Sequence, residues 1–248
     1  MRARSLSWDG CVNVRDLGGL PTAHGGETRW QSVVRADSVR GLSDAGWAAL
    51  VEYGIRTAID LRWESELAED PEGEVPVDVV RVSLFGSGRD GDVAEVDALV
   101  AGVRDPVVWR RTTYLEFLER FRGNLARAVR GVASAPPEGV VVHCSGGVDR
   151  TGLVAAMLLR IAGVSVGDIA EDWAESERNW APFTAEWIAA AEDEAEAERR
   201  RLLSLCPPEA MVGVLGEVER RYGSVESYLR DAGVADRDLS RARARLRG

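Results

Sequence analysis

Residues 139–152, Gly-Val-Val-Val-His-Cys-Ser-Gly-Gly-Val-Asp-Arg-Thr-Gly, constrain this chain more than any other stretch. The β-branched run Val140, Val141 and Val142 reads as a buried strand, closed by His143 and Cys144. Ser145, Gly146, Gly147 and Val148 form a glycine-bearing loop. Arg150 and Thr151 then open an apolar helical pattern that runs from Leu153 to Ile161. A strand-loop-helix turn of this kind presents backbone N–H groups as a nest at the positive end of a helix. The loop from Ser145 to Arg150 therefore reads as a phosphate cradle with a thiol beside it. A nucleophile and an oxyanion cradle in one loop suit phosphoryl transfer through a cysteinyl-phosphate. Alone, Cys144 would read as an inert cysteine at a strand end. Arg150 six positions on, with two glycines allowing close backbone approach, favours the nucleophile. A cation at a helix N-terminus is unfavourable unless an anion binds there, so Arg150 reads as the bidentate phosphate grip.

Around this loop, strand and helix patterns alternate. Residues 30–35, 55–61 and 77–84 read as strands, with Asp60 and Arg62 at the C-terminal end of the second. Ser43 and Asp44 cap a helix that Gly54 stops, and 85–92 is a Gly/Asp loop. Helical patterns cover 93–103, 106–132, 151–162, 166–177, 183–203 and about 209–222; Pro207 and Pro208 precede the last of these. Ser224 caps one more helix, and the final eight residues, four of them arginine, are expected to fray. The fold class is α/β, a mostly parallel sheet with helices on both faces, and sites in such sheets form at strand C-termini. At 248 residues and 45% hydrophobic content the chain suits a single domain, 1–248.

The net charge of −10 argues against nucleic acid and against stable association with an anionic membrane. No segment has the apolar length of a membrane span, and the first residues lack the apolar core of a secretory signal, so the expected location is the cytoplasm. All 31 basic residues are arginine, which removes lysine as a Schiff-base nucleophile or general base. Two histidines, His24 and His143, cannot build a multi-histidine metal centre. Three cysteines without a C-x-x-C pair argue against a zinc site or a disulfide scaffold, so no cofactor and no metal are expected.

The motif His143-Cys144-x5-Arg150-Thr151 resembles the cysteine-dependent protein tyrosine phosphatases, whose signature is H-C-x5-R-[ST]. Within them it is similar to an atypical bacterial group that carries H-C-x-x-G-K-D-R-T-G; Val148 stands where that group has lysine. Asn13 to Gly19 is similar to the group's N-[FV]-R-D-L-G-G. Asp60-Leu61-Arg62 with Glu66 is similar to its D-L-R-x-x-x-E. The resemblance implies a protein tyrosine phosphatase-like fold and a metal-independent hydrolase of phosphotyrosine, extending to phosphoserine and phosphothreonine. The partner would be a phosphorylated protein or a small phosphoester. It implies that His143 supports the loop by hydrogen bonding. Thr151 is read either as a hydroxyl donor to the thiolate or as a helix cap. Asp149 is the implied general acid, against a structural reading in which it accepts loop N–H bonds; Asp60 is the other candidate acid, against a structural pairing with an arginine. Arg15 and Asp16 brace the loop or fix the turn before Gly18 and Gly19. Arg62 assists phosphate binding or lies at the surface. Residues 183–203 are either a solvated helix or a lid over the site, and some bacterial relatives are exported without an ordinary signal. A phosphoinositide phosphatase is an alternative that Val148 weakens. A non-catalytic phosphate-binding module is another, weakened by the intact Cys144, Asp149 and Arg150. A sulfurtransferase loop of the rhodanese type does not suit Asp149-Arg150-Thr151-Gly152.

Overall fold

The computed structural model describes residues 3–68, 70, 74–87 and 91–247. In chain order the elements begin with β1 (Arg15–Asp16), β2 (Val33–Ala36), a 3-10 turn at Val39–Gly41, α1 (Asp44–Glu52), β3 (Ile55–Asp60) and α2 (Glu64–Leu67). Next come β4 (Asp78–Arg81), α3 (Asp92–Val100), α4 (Pro106–Arg120), α5 (Arg122–Ser134) and β5 (Gly139–His143). The chain finishes with α6 (Asp149–Ala162), α7 (Val166–Ala189), α8 (Glu194–Ser204), α9 (Pro208–Tyr222), α10 (Val225–Asp231) and α11 (Asp236–Leu246). The sheet order is β1-β2-β5-β3-β4, parallel except for β1.

The central strand is β5, and its three valines are buried because both faces of the sheet are covered. Val141 points with Val34, Ala36 and Ala58 toward Leu50 of α1. Val140 and Val142 point the other way, into the larger core shared with Ile59, Val129 of α5 and Val154 of α6. The register pairs His143 with both Ala36 and Asp60. Three parallel strands thus end on one line, and the residues that follow them meet at one sheet edge.

Local chemistry sets the helix ends. Ser43 accepts the Gly46 N–H, Asp105 accepts that of Val108 just ahead of Pro106, and Gly163 closes α6 at φ +95°. Several sequence expectations need correction. The helical stretch 106–132 is two helices, broken at Phe121, whose ring packs on Phe85 and Phe117. Only Asp78–Arg81 of the stretch 77–84 pairs as a strand. The stretch 183–203 is not one helix: α7 runs on through Pro182 to Ala189, and α8 begins at Glu194. The C-terminus does not fray, because Leu246 is buried and its carbonyl accepts the Arg29 N–H at 2.7 Å. No helix among the described residues is long and apolar enough to cross a membrane.

Candidate active site

The loop after β5 is held from outside by its carbonyls. The Ser145 carbonyl accepts the Ser38 N–H at 2.9 Å. That of Gly146 accepts Asn13 Nδ2 at 3.0 Å and Trp180 Nε1 at 2.8 Å. Arg35 Nη2 donates to the Gly147 carbonyl at 2.8 Å, and Trp173 Nε1 to that of Val148 at 3.2 Å. With these carbonyls engaged by neighbouring donors, the loop is held in place, and a loop of this kind at a helix N-terminus suits a tetrahedral anion. Gly147 sits at φ +68°, and a Cβ there would lie 2.6 Å from the Ala36 carbonyl oxygen. Only glycine lets the loop press against β2 this closely.

Behind the loop lies a buried charge cluster. Asp172 of α7 pairs with Arg35 at 2.7 Å, with Arg15 at 3.2 Å and with Arg4. Burial alone would raise its pKa, but the three guanidiniums outweigh that and hold it well below the usual carboxylate range. Arg15 is pushed down to about 10, chiefly by burial and then by Arg35. It donates to Asn13 Oδ1 at 2.7 Å, and Asn13 in turn holds the loop. Asp16 does the other job, accepting the N–H groups of Gly18 and Gln31, each at 2.7 Å, to fix the turn. The two readings of the Arg15-Asp16 pair therefore divide between the two residues.

Cys144 and Arg150 share the floor of a cavity of about 660 Å³ with Ser145, Gly146, Val148 and Asp149. Arg150 donates to Glu66 at 2.5 and 2.8 Å and lies 4.6 Å from the Trp63 ring centroid. Burial would lower its pKa, yet Glu66 and the Cys144 sulfur raise it above the ordinary arginine value. Asp149 Oδ1 accepts the Tyr114 hydroxyl at 2.8 Å and also a bond from Arg110. Burial raises Tyr114 well above the usual tyrosine range, and the Asp149 charge adds to this, so it stays a donor.

Other expected site residues stand elsewhere. Arg62 is buried, neither at the surface nor in the cavity wall, and binds Asp60 at 2.9–3.0 Å and Asp70 at 2.6–2.9 Å. Asp60 is held below the usual carboxylate range, since its bonds to Arg62 outweigh the effect of burial, and it does not line the cavity that holds Cys144. His143 is fully buried beside the loop, its Nε2 3.9 Å from Asp60 Oδ1. Burial pushes it down to about 4, and it is neutral at pH 7. Thr151 is the third residue of α6; its buried hydroxyl bonds neither Cys144 nor a helix N–H.

Sequence reasoning missed Arg35, Asp172, Trp173, Trp180, Arg110 and Tyr114. A signal existed for some of them. Ile169, Trp173, Ser176, Trp180, Phe183 and Trp187 recur at spacings of three and four, one continuous helix face that spans Pro182. Arg110 likewise sits among the buried positions 109, 110, 113, 114, 117 and 118 of α4, a charge on the apolar side of a helix. The far half of α7 supplies Trp180, Phe183 and Trp187 to the cavity and α8 supplies Arg199 and Leu203; Trp63, Phe85, Trp109 and Phe117 line it as well.

A family profile described as "Tyrosine phosphatase family" matches residues 6–248. The chain is similar to a tyrosine-protein phosphatase of Nostoc commune, 24% identical over 222 residues that cover 86% of this chain and 73% of the relative. It is also similar to the triple specificity protein phosphatase PtpB of Mycobacterium tuberculosis. That match is 27% identical over 278 aligned positions, covering 96% of this chain and 98% of the relative.

Proposed function

Because this chain belongs to the tyrosine phosphatase family, we propose that it hydrolyses phosphotyrosine through a covalent intermediate on Cys144. The Cys144 sulfur attacks phosphorus in line with the aryl oxygen. The N–H groups from Ser145 to Arg150 and the Arg150 guanidinium take up charge on the three equatorial oxygens. Glu66 uses only two of the five donors of that guanidinium and orients it, which leaves donors for phosphate. Asp149 gives its proton to the departing phenolate. In the second half it takes a proton from water as water attacks the thiophosphate, the S–P bond breaks, and inorganic phosphate and the thiolate are released.

The observation that carries this reading is the meeting of Cys144, Asp149 and Arg150 in the lining of one cavity, on a loop whose carbonyls are held by Asn13, Arg35, Trp173 and Trp180. Seven aromatic side chains in the wall favour an aryl phosphate over phosphoserine or phosphothreonine, which become secondary substrates. The end of α7 together with α8 acts as the lid, replacing the single 183–203 helix. Phosphoinositides are disfavoured. Val148 brings no charge to the cavity, and Arg199, which could meet a second phosphate, is paired with Asp97 at 3.1 Å. The test is phosphate release from a phosphotyrosine peptide, a phosphothreonine peptide and a soluble phosphoinositide, with EDTA present, by the wild type and Cys144→Ser. Tyrosine-peptide turnover that survives EDTA and disappears in the variant supports the reading. Binding without turnover in the wild type would replace it with a phosphate-binding module.

A further inference from the structure

We propose that Arg110 is a positioning residue that joins the end of α8 to the proton donor of the reaction. The inference rests on the reading of Asp149 as general acid. Arg110 lies on α4 and is completely buried. Its three nitrogens point to two different parts of the molecule. Nη1 donates to Asp149 Oδ1, on the cavity floor. Nε donates to the Leu205 carbonyl at 3.1 Å and Nη2 to the Leu203 carbonyl at 2.5 Å. Leu203 belongs to the last turn of α8, and Leu205 is its C-cap. These are carbonyls that a helix end leaves without intrahelical donors, and the negative end of the helix dipole suits a cation.

A guanidinium is flat and rigid, so its arms cannot move independently. The rings of Trp109, Tyr114 and Trp173 stand 5.2, 5.7 and 5.8 Å from its central carbon and confine it further. A displacement of the α8 terminus is therefore passed to Asp149, and the reverse holds equally. The bonding of Asp149 fits a proton donor. Tyr114 and Arg110 both bond Oδ1. Oδ2 has no bond among the described residues, on a side chain 35% exposed where it lines the cavity. The proton sits on Oδ2 while Oδ1 keeps both donors, so the anchor survives loading of the acid. The consequence is a gate: Asp149 is aimed at the leaving oxygen when α8 is docked, and loses its aim when α8 lifts.

The test compares phenyl phosphate, which needs leaving-group protonation, with 2,4-dinitrophenyl phosphate, which does not. The proteins are the wild type, Asp149→Asn, Arg110→Lys and the double variant. Asp149→Asn should lose roughly 10²–10⁴-fold on the phenyl ester and little on the other when the comparison is made in kcat/KM, which reports phosphoryl transfer to Cys144 and not the hydrolysis that both esters share. Arg110→Lys should lose roughly ten- to a hundredfold, again only on the phenyl ester, the value of a hydrogen bond to a charged group. The double variant should be no slower than Asp149→Asn. Amide exchange at 203–206 should quicken in Arg110→Lys, and stay as in the wild type in Asp149→Asn, which keeps Oδ1 as acceptor. Equal losses on both esters in Arg110→Lys, or losses that multiply in the double variant, would mean a merely structural arginine and overturn the proposal. No ester dependence in Asp149→Asn would sink the acid assignment instead, and the exchange result would then judge the link alone. If Arg110→Lys does not fold, Asp149→Ala, which removes both acceptor oxygens, decides: unchanged exchange at 203–206 contradicts the link.

Discussion

Replacing Asp172 by asparagine should damage the protein twice, in stability and in rate. The carboxylate is buried between Arg15 and Arg35, both equally buried, with Arg4 at the rim. Asparagine keeps the volume and one acceptor but leaves two guanidiniums without a counter-charge. Removing one partner of a buried ion pair costs about 3–5 kcal/mol. Urea unfolding followed by tryptophan fluorescence should report a loss in that range. The rate should fall as well, because Arg35 holds the Gly147 carbonyl and Arg15 holds Asn13, which holds that of Gly146. A loop displaced by about an ångström costs on the order of a hundredfold in kcat. The pH dependence supplies an independent sign. The folded-state pKa of Asp172 is depressed. Its contribution is therefore full above the unfolded value of about 3.9 and is lost as pH falls through the folded value. Wild type and variant should converge in stability below about pH 4. A stability difference under about 1 kcal/mol at neutral pH, or one that stays constant as pH falls, would refute the reasoning.

Three further outcomes follow. Gly147→Ala should lose at least about 2 kcal/mol by urea unfolding and most of its turnover, since the left-handed penalty adds to a backbone clash that no rotamer relieves. Gly26→Ala, at φ +73° with open space around it, should pay only the left-handed penalty of about 1–2 kcal/mol and keep its rate. His143 is held near 4 by burial, so stability should be full above its unfolded value of about 6.5 and fall by roughly 3 kcal/mol as pH drops from there to about 4; this slope should flatten in His143→Gln. Val148→Lys should raise turnover of a soluble phosphoinositide relative to the phosphotyrosine peptide, and an unchanged ratio would show that charge at this position does not set the preference.

The strand-loop-helix unit was legible because its signals are local: a valine run, then glycines, then an apolar helix. The cap residues Ser43 and Ser224 were legible for the same reason. The supports of the loop were not. Arg35 and Asp172 are 137 positions apart, and nothing in either neighbourhood marks a buried ion pair. Arg62 was read as a phosphate ligand or a surface residue because its second partner, Asp70, lies beyond a helical turn. The stretches 166–177 and 183–203 read as separate helices, whereas the aromatic stripe from Trp173 to Trp187 lies on one continuous helix that runs through Pro182. The last arginines looked frayed because charge was counted before the spacing of Leu239, Ala242 and Leu246, which are buried.

The central claim is that phosphate passes through the Cys144 sulfur. The most direct measurement is mass spectrometry of peptides from an acid quench made milliseconds after mixing with a phosphotyrosine peptide. The account predicts a phosphate adduct on the peptide carrying Cys144, formed and lost at rates compatible with turnover and absent in Cys144→Ser. Steady turnover with no adduct on that peptide, or turnover that persists in Cys144→Ser, would contradict it.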